Sequence, residues 1–265
     1  MRGSDAGRAG YWDRNLDPQN LGSEADPAAA LLAEAPFHDV PDQAAAIAAM
    51  EPVDGALVLE VGTGLGLNAL NLARRGARVV ATDISLERLR ALCAILRDGR
   101  HAELWRSDHG AVLPVRCAAE ALPFRADAFD AACTRSVLIH TRLPEAAAEI
   151  RRTMRPGATG AFIEPMTSNP LVVLYRRTLA PAEWRGITTY FSPREIAALS
   201  APFASAATRH FYLSAFLAFA WQFGVRAPAL FRPALALLNA LDNGLMRAVP
   251  PLRRFAWFVL VVVRK

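Results

Sequence analysis

Between Ala56 and Ile163 short apolar runs alternate with longer stretches whose apolar residues recur every three or four positions. A short unbroken apolar run bounded by turn residues reads as a buried strand, and the three-and-four spacing reads as a helix with one face on a core. On this pattern Leu57–Val61, Arg78–Thr82, Val112–Cys117, Phe129–Thr134 and Ala158–Ile163 are predicted strands. Helices are predicted over Leu67–Arg75, closed by Gly76, and from a Ser85 cap to about Arg97. A third spans Pro144–Met154 and stops at Pro156-Gly157. Such alternation implies right-handed crossovers and a parallel sheet. Ligands in these sheets sit at the carboxyl ends of the strands. Those ends carry Glu60, Asp83, Ala118, Arg135 and Glu164, expected along one rim.

The flanks follow a different rhythm. Residues 1 to about 22 read as irregular, while Asp26-Pro27 and Pro41 each signal a helix start. Residues 1–50 are therefore expected to form an N-terminal helical lid over a core of residues 51–165. In the remainder, 166–265, Ser192-Pro193-Arg194-Glu195 is a capping box with proline at the first helical position. Arg209–Leu213 and Trp257–Val263 read as strands. The insertion between them, about 216–255, places Phe231, Leu235, Leu238, Leu241 and Leu245 on one helical face. Pro228, Pro233, Pro250 and Pro251 predict that this insertion is broken into short pieces. No internal repeat is visible.

With 265 residues, 53% of them hydrophobic, the chain can bury a large core. Its net charge of +5 comes almost wholly from arginine, since Lys265 is the single lysine. No dense basic block with interleaved aromatics accompanies that charge, so no nucleic-acid partner is expected. Cys93, Cys117 and Cys133 form no C-x-x-C pair and read as small core hydrophobes in a reducing compartment. Met1–Asn15 is polar, without an apolar signal region. The longest uncharged run, between His210 and Arg226, is about fifteen residues, short of the roughly twenty that span a bilayer. A cytoplasmic protein is expected. His38, His101, His109 and His210 show no metal-ligand spacing, so no metal is expected.

Chemistry is suggested first by Glu60-Val61-Gly62-Thr63-Gly64-Leu65-Gly66. A dinucleotide fingerprint would need glycine where Leu67 stands, and alone the triplet also fits a plain strand-to-helix turn. About twenty residues on, "VVATDIS" ends a strand at Asp83, where a carboxylate can accept both hydroxyls of a ribose. Three further pieces follow in order: "CAAEALPF" (117–124), "FDAACTRSVLIH" (129–140) and "RRTMRPGATGAFIEP" (151–165).

Together these five pieces resemble the class I S-adenosylmethionine-dependent methyltransferases, nearest the ubiquinone and menaquinone biosynthetic subgroup. The resemblance covers roughly residues 55–165 and the closing strand. It implies an α/β, Rossmann-like, mostly parallel seven-stranded sheet with an antiparallel last strand. Helices would cover both faces, with a helical insertion before that strand. It also implies S-adenosyl-L-methionine as cofactor. Carried over, Glu60, Gly62, Thr63, Gly64 and Gly66 would hold its methionine and ribose part, with Asp83 and Ile84 at the ribose. Where relatives carry an acid for the adenine amino group this chain has Ala118, leaving the backbone at Ala119, beside Glu120. Arg135 and Tyr11 complete the expected cofactor set. Tyr11 and Trp12 would fold over the cofactor as a lid, or form a surface aromatic pair.

Methyl transfer is an in-line displacement in which positive charge on sulfur disappears. The protein supplies positioning, a dry pocket and, for a protic acceptor, a base. Glu60 suits the cationic end of the cofactor. His140 is the candidate base, its ordinary pKa lying near neutrality, and the alternative is a histidine packed at a helix start. Asp130 is expected to anchor a strand start, and Glu164 to lie on the rim or cap the next segment. Phe203, Phe211, Phe216, Phe219, Trp221, Phe223 and Phe231 suggest a small, largely apolar acceptor, although the same rings fit core or oligomer packing. A different class of reading keeps the cofactor but steers a cyclisation. A dehydrogenase is disfavoured by Leu67. A nucleic-acid methyltransferase is disfavoured by Arg135-Ser136-Val137-Leu138, which lacks an N-P-P-Y type grip on a flipped base. The insertion's apolar face, flanked by Arg226, Arg232, Arg247, Arg253 and Arg254, fits a homo-oligomer contact, a cover over the acceptor or an interfacial helix on anionic lipid. Self-association or acceptor covering ranks first.

Overall fold

The apolar run Leu57–Val61 forms β1, at the centre of a seven-stranded sheet. The structure, a computed structural model, describes residues 5–14, 40–98, 106–178, 188–219, 221 and 228–265. Strands β2 (Arg78–Asp83) and β3 (Ala111–Arg116) extend the sheet on one side of β1. On the other lie β4 (Phe129–Arg135), β5 (Met154–Pro165), β7 (Phe258–Arg264) and β6 (Ser205–Phe211), giving the order β3-β2-β1-β4-β5-β7-β6. The first five strands pair in parallel, and β7 runs antiparallel to both β5 and β6. The Rossmann-like architecture expected from the sequence is therefore present. Strand order reverses at β1 and β4, the crevice where such sheets bind ligands.

Successive side chains alternate between two apolar layers, as a pleated strand requires. Val58, Val79, Cys133, Ile163 and Leu260 pack on one face. Their neighbours Leu59, Val80, Ala132, Phe162 and Val261 pack on the other. The first layer is closed by α2 (Pro41–Met50), α3 (Leu67–Arg74) and α4 (Leu86–Asp98). The second is closed by α5 (Leu143–Thr153) and, beyond α6 (Pro170–Thr178), by α7 (Pro193–Ser200). The capping box at Ser192 and Glu195 is formed, with the Ser192 hydroxyl accepting from the Arg194 N–H. Asp130 anchors β1, its carboxylate accepting from the Leu57 N–H at 2.8 Å.

Two regions depart from expectation. Residues 5–14 form a helix, α1 (Asp5–Arg14), where irregular chain was expected. Its own sequence is polar and glycine-containing, and its docking contacts hold it. The insertion breaks at Pro250-Pro251, where a separate 3-10 helix (Pro250–Phe255) begins, but not at Pro233: Pro228–Ala248 is one 21-residue helix, α8. Pro233 lies in its second turn, where a missing N–H removes a single intrahelical bond. The apolar face also differs. Phe231, Leu235 and Met246 are buried together with Asp242, whereas Leu241 and Leu245 point outward with Leu237. Asp242 accepts from the N–H groups of Ser214 and Ala215 and from the Ser214 hydroxyl, so a carboxylate rather than Leu241 seats the helix. The helix signalled at Asp26-Pro27, like Phe223 and Arg226, lies outside the described residues. Among the described residues no helix is long and apolar enough to cross a membrane.

Candidate active site

The chain leaving β1 turns through Gly62, Gly64 and Gly66, whose φ angles are +72°, +58° and +89°. A side chain is strained at all three, and at Gly62 a Cβ would also run into the Val137 side chain. The turn is pinned by Thr63 N–H donating to the Thr82 carbonyl at 2.8 Å.

Beneath the turn, Glu60 is buried and accepts from the Thr63 hydroxyl at 2.6 Å and the Asn68 amide at 2.9 Å. Burial pushes its carboxyl up to about 7, against the pull of those two bonds. Its side chain braces the turn from below, next to Val61 and Gly62, which line the cavity. Asp83 sits above. One carboxylate oxygen accepts from Gly64 N–H at 2.9 Å, the other from Ser85 N–H at 2.9 Å. Each oxygen can accept again, and Asp83 borders the cavity. Ser85 caps α4 as expected, accepting from the Arg88 N–H.

The opposite rim is shaped after β4, where Ser136 adopts a left-handed φ of +57°. That reversal aims the N–H groups of Val137, Leu138 and Ile139 at Glu164, which also accepts from the Thr134 hydroxyl. Burial pushes the Glu164 carboxyl up to about 7, while the three backbone donors hold it down. Glu164 therefore does not cap the segment after β5. It ties the end of β5 to the turn that carries His140.

These elements enclose a cavity of about 400 Å³. Of the sequence-predicted site, Gly62, Asp83 and Ile84 reach its wall on one side, with Ala119 and Glu120 beyond β3. Arg135 and His140 reach it on the other. Thr63, Gly64, Gly66 and Tyr11 do not line it. Trp12, beside Tyr11, does, and meets the His140 ring edge-on at 4.9 Å. The His140 Nδ1 lies 3.4 Å from the Thr188 hydroxyl. Arg135 directs its guanidinium at buried Asp42, 3.1 Å away, which also receives the Tyr212 hydroxyl. Glu120 is engaged by the Arg8 guanidinium at 2.7 Å and by the Arg142 N–H at 2.8 Å.

Sequence reading missed Arg8, Asp42, Asn68, Arg176 and Tyr190. Asn68, one position into α3, could have been found as the amide facing the acid that opens the turn. Asp42 and Arg135 are 93 residues apart, and no local pattern joins them.

The wall fits the implied cofactor. Asp83 retains acceptor capacity for a ribose diol, the glycine turn permits close backbone approach, and Ile84, Cys117 and Ala119 offer an apolar slot for a flat base. Residues 59–162 match a family model described as a methyltransferase domain. No curated protein matches. The fold is similar to phosphoethanolamine N-methyltransferase 2 of Haemonchus contortus, solved with S-adenosyl-L-methionine, at 16% identity and a TM-score of 0.62. That likeness covers 97% of this chain and 59% of the other. It is also similar to geranyl diphosphate C-methyltransferase of Streptomyces coelicolor, solved with S-adenosyl-L-homocysteine, at 16% identity and a TM-score of 0.58 over 98% and 96% of the two chains. A [4+2]-cyclase, SpnF, shares the fold at 19% identity and a TM-score of 0.50 over 93% and 84%. Domain match, fold and cavity agree: residues 59–162 match a methyltransferase domain, on the Rossmann-like fold that S-adenosylmethionine-dependent methyltransferases also have.

Proposed function

We propose that the chain methylates a small acceptor with a largely apolar body, using S-adenosylmethionine held between the glycine turn and Asp83. The observation that carries this reading is the cavity itself. It runs from Asp83 at the end of β2, past the turn after β4, to an apolar wall of Pro165, Val172, Trp257 and Phe258. When bound, the cofactor supplies an electrophilic methyl group. The chain's own residues supply orientation and exclusion of water: Asp83 takes the ribose hydroxyls, the Ala119 backbone meets the base, and Trp12 closes the cofactor side. On this reading His140 takes the proton from a protic acceptor; its position on the cavity wall, with its ring against Trp12 and near the Thr188 hydroxyl, supports the role.

The quinone-type resemblance directs the acceptor panel to quinones, lipid-like molecules and apolar specialised metabolites. The test is mass spectrometry of reactions containing S-adenosylmethionine and that panel. Methylated product together with S-adenosylhomocysteine is expected; a rearranged acceptor with no S-adenosylhomocysteine would point to cyclisation instead. His140→Ala should lower turnover while leaving S-adenosylhomocysteine affinity nearly unchanged. If the rate loss follows a fall in melting temperature, the histidine is structural and the base assignment fails.

A further inference from the structure

Four arginines line the cavity and differ in how their charge is met; Arg88 lies over the Trp12 ring, 4.8 Å from its centroid. Arg8 is paired with Glu120 and Arg135 with Asp42. Arg176, on α6, has no carboxylate partner among the described residues. Its guanidinium carbon lies over the Tyr190 ring, 3.4 Å from the centroid, and one Nη donates to the Met166 carbonyl at 2.8 Å. A guanidinium carries five N–H donors, so this leaves donors to spare. Desolvation pulls the group down to about 10. A half-buried cation of this kind is stabilised by a counter-anion, and the planar fork is suited to bidentate carboxylate or phosphate.

Position separates this cation from the ribose end. Asp83 ends β2, while Met166 follows β5, three strand spacings away across the sheet, or roughly 14 Å. The wall around Arg176 combines the apolar side chains Val172 and Phe258 with the hydroxyl groups of Tyr175, Tyr190 and Thr188. Such a site matches a molecule with a greasy body and one acidic end.

We propose that Arg176 seats an oxyanion carried by the acceptor, so that the acceptor is an amphiphile bearing a carboxylate or phosphate. The assignment rests on the methyl-transfer reading, because that reading gives the Asp83 end to the cofactor. The cofactor's own amino-acid carboxylate is the other source of the same chemistry, and the experiment separates the two.

Octyl phosphate, octanoate and octanol are titrated into the full chain, with S-adenosylhomocysteine titrated separately. The wild type should bind at least one of the two anions about tenfold or more tightly than octanol, the size expected for a charge-assisted contact. Arg176→Met should erase that preference and leave S-adenosylhomocysteine affinity within about twofold. Arg176→Lys, which keeps the charge and serves if the methionine variant melts early, should retain part of the preference. Equal binding of octanol and both anions by the wild type overturns the proposal. So does an Arg176→Met variant that weakens S-adenosylhomocysteine but keeps the anion preference, since the carboxylate would then be the cofactor's. If the wild type shows the anion preference and Arg176→Met loses it, but S-adenosylhomocysteine does not bind, the oxyanion site stands and the methyl-transfer reading fails.

Discussion

Asp83, the proposed ribose ligand, is also a structural brace. Its two oxygens already accept from Gly64 and Ser85 before any ribose arrives. Asp83→Ala therefore removes charge-assisted contacts on both sides, and S-adenosylhomocysteine affinity should fall about tenfold to a hundredfold. Calorimetric titration checks this, and an unchanged dissociation constant would reject the ribose assignment. The melting temperature should fall too, because the turn loses its acceptor. Asp83 was legible in the sequence because it ends a strand at a fixed distance from the glycines. Glu60 was legible as an important acid but not as a buried one. Its burial depends on Asn68 and on Gln43, which donates to Asn68 from a helix outside the motif.

At the scale of elements, the core strands and helices were readable because each combines a clean period with a punctuating residue, such as Gly76 or Pro156-Gly157. α8 was misread on two counts. Proline was weighed by its presence rather than by its place in the helix, and the leucine repeat could not reveal that Asp242 sits on the inner face. The turn after β4 was equally opaque, since its scaffold comes from Glu164, 25 to 27 residues away. Glu164→Gln would set an amide NH₂ against backbone donors. Stability should drop by about 1–3 kcal/mol, the cost of leaving buried polar groups unpaired. Urea denaturation measures this, and an unchanged midpoint would mean that the turn stands without the carboxylate.

For the molecule as a whole, two buried carboxyls give stability a pH dependence. Glu60 and Glu164 have folded pKa values near 7, raised from an ordinary value of 4.5. A raised folded value means that the native state binds protons more tightly than the unfolded chain. This contribution is fully present below pH 4.5 and is lost as pH rises through 7. Asp13, Glu149 and Glu195 are shifted downward, so their opposite contribution lies at more acidic pH, and solvent screens them. Desolvated His210, pulled down from its ordinary 6.5, works the other way below that pH, so the urea midpoint should decline most clearly between about pH 6.5 and 7.5 and level off above that. Glu60→Gln should remove part of the slope. A midpoint that rises across that window would contradict the buried-acid account.

The docking of α1 has a kinetic consequence. Arg8 reaches from this helix to Glu120 and to the His140 carbonyl at 2.8 Å, Asp13 receives the Ser85 hydroxyl at 2.7 Å, and Trp12 forms wall. A molecule that leaves past Trp12 must break those bonds together, so its residence time is expected to follow the undocking of one short helix. Arg8→Ala should shorten the lifetime of bound S-adenosylhomocysteine more than it slows capture, as stopped-flow displacement would record. Raising ionic strength should act in the same direction, making release a salt-tuned clock while the glycine turn and Asp83 stay as they are.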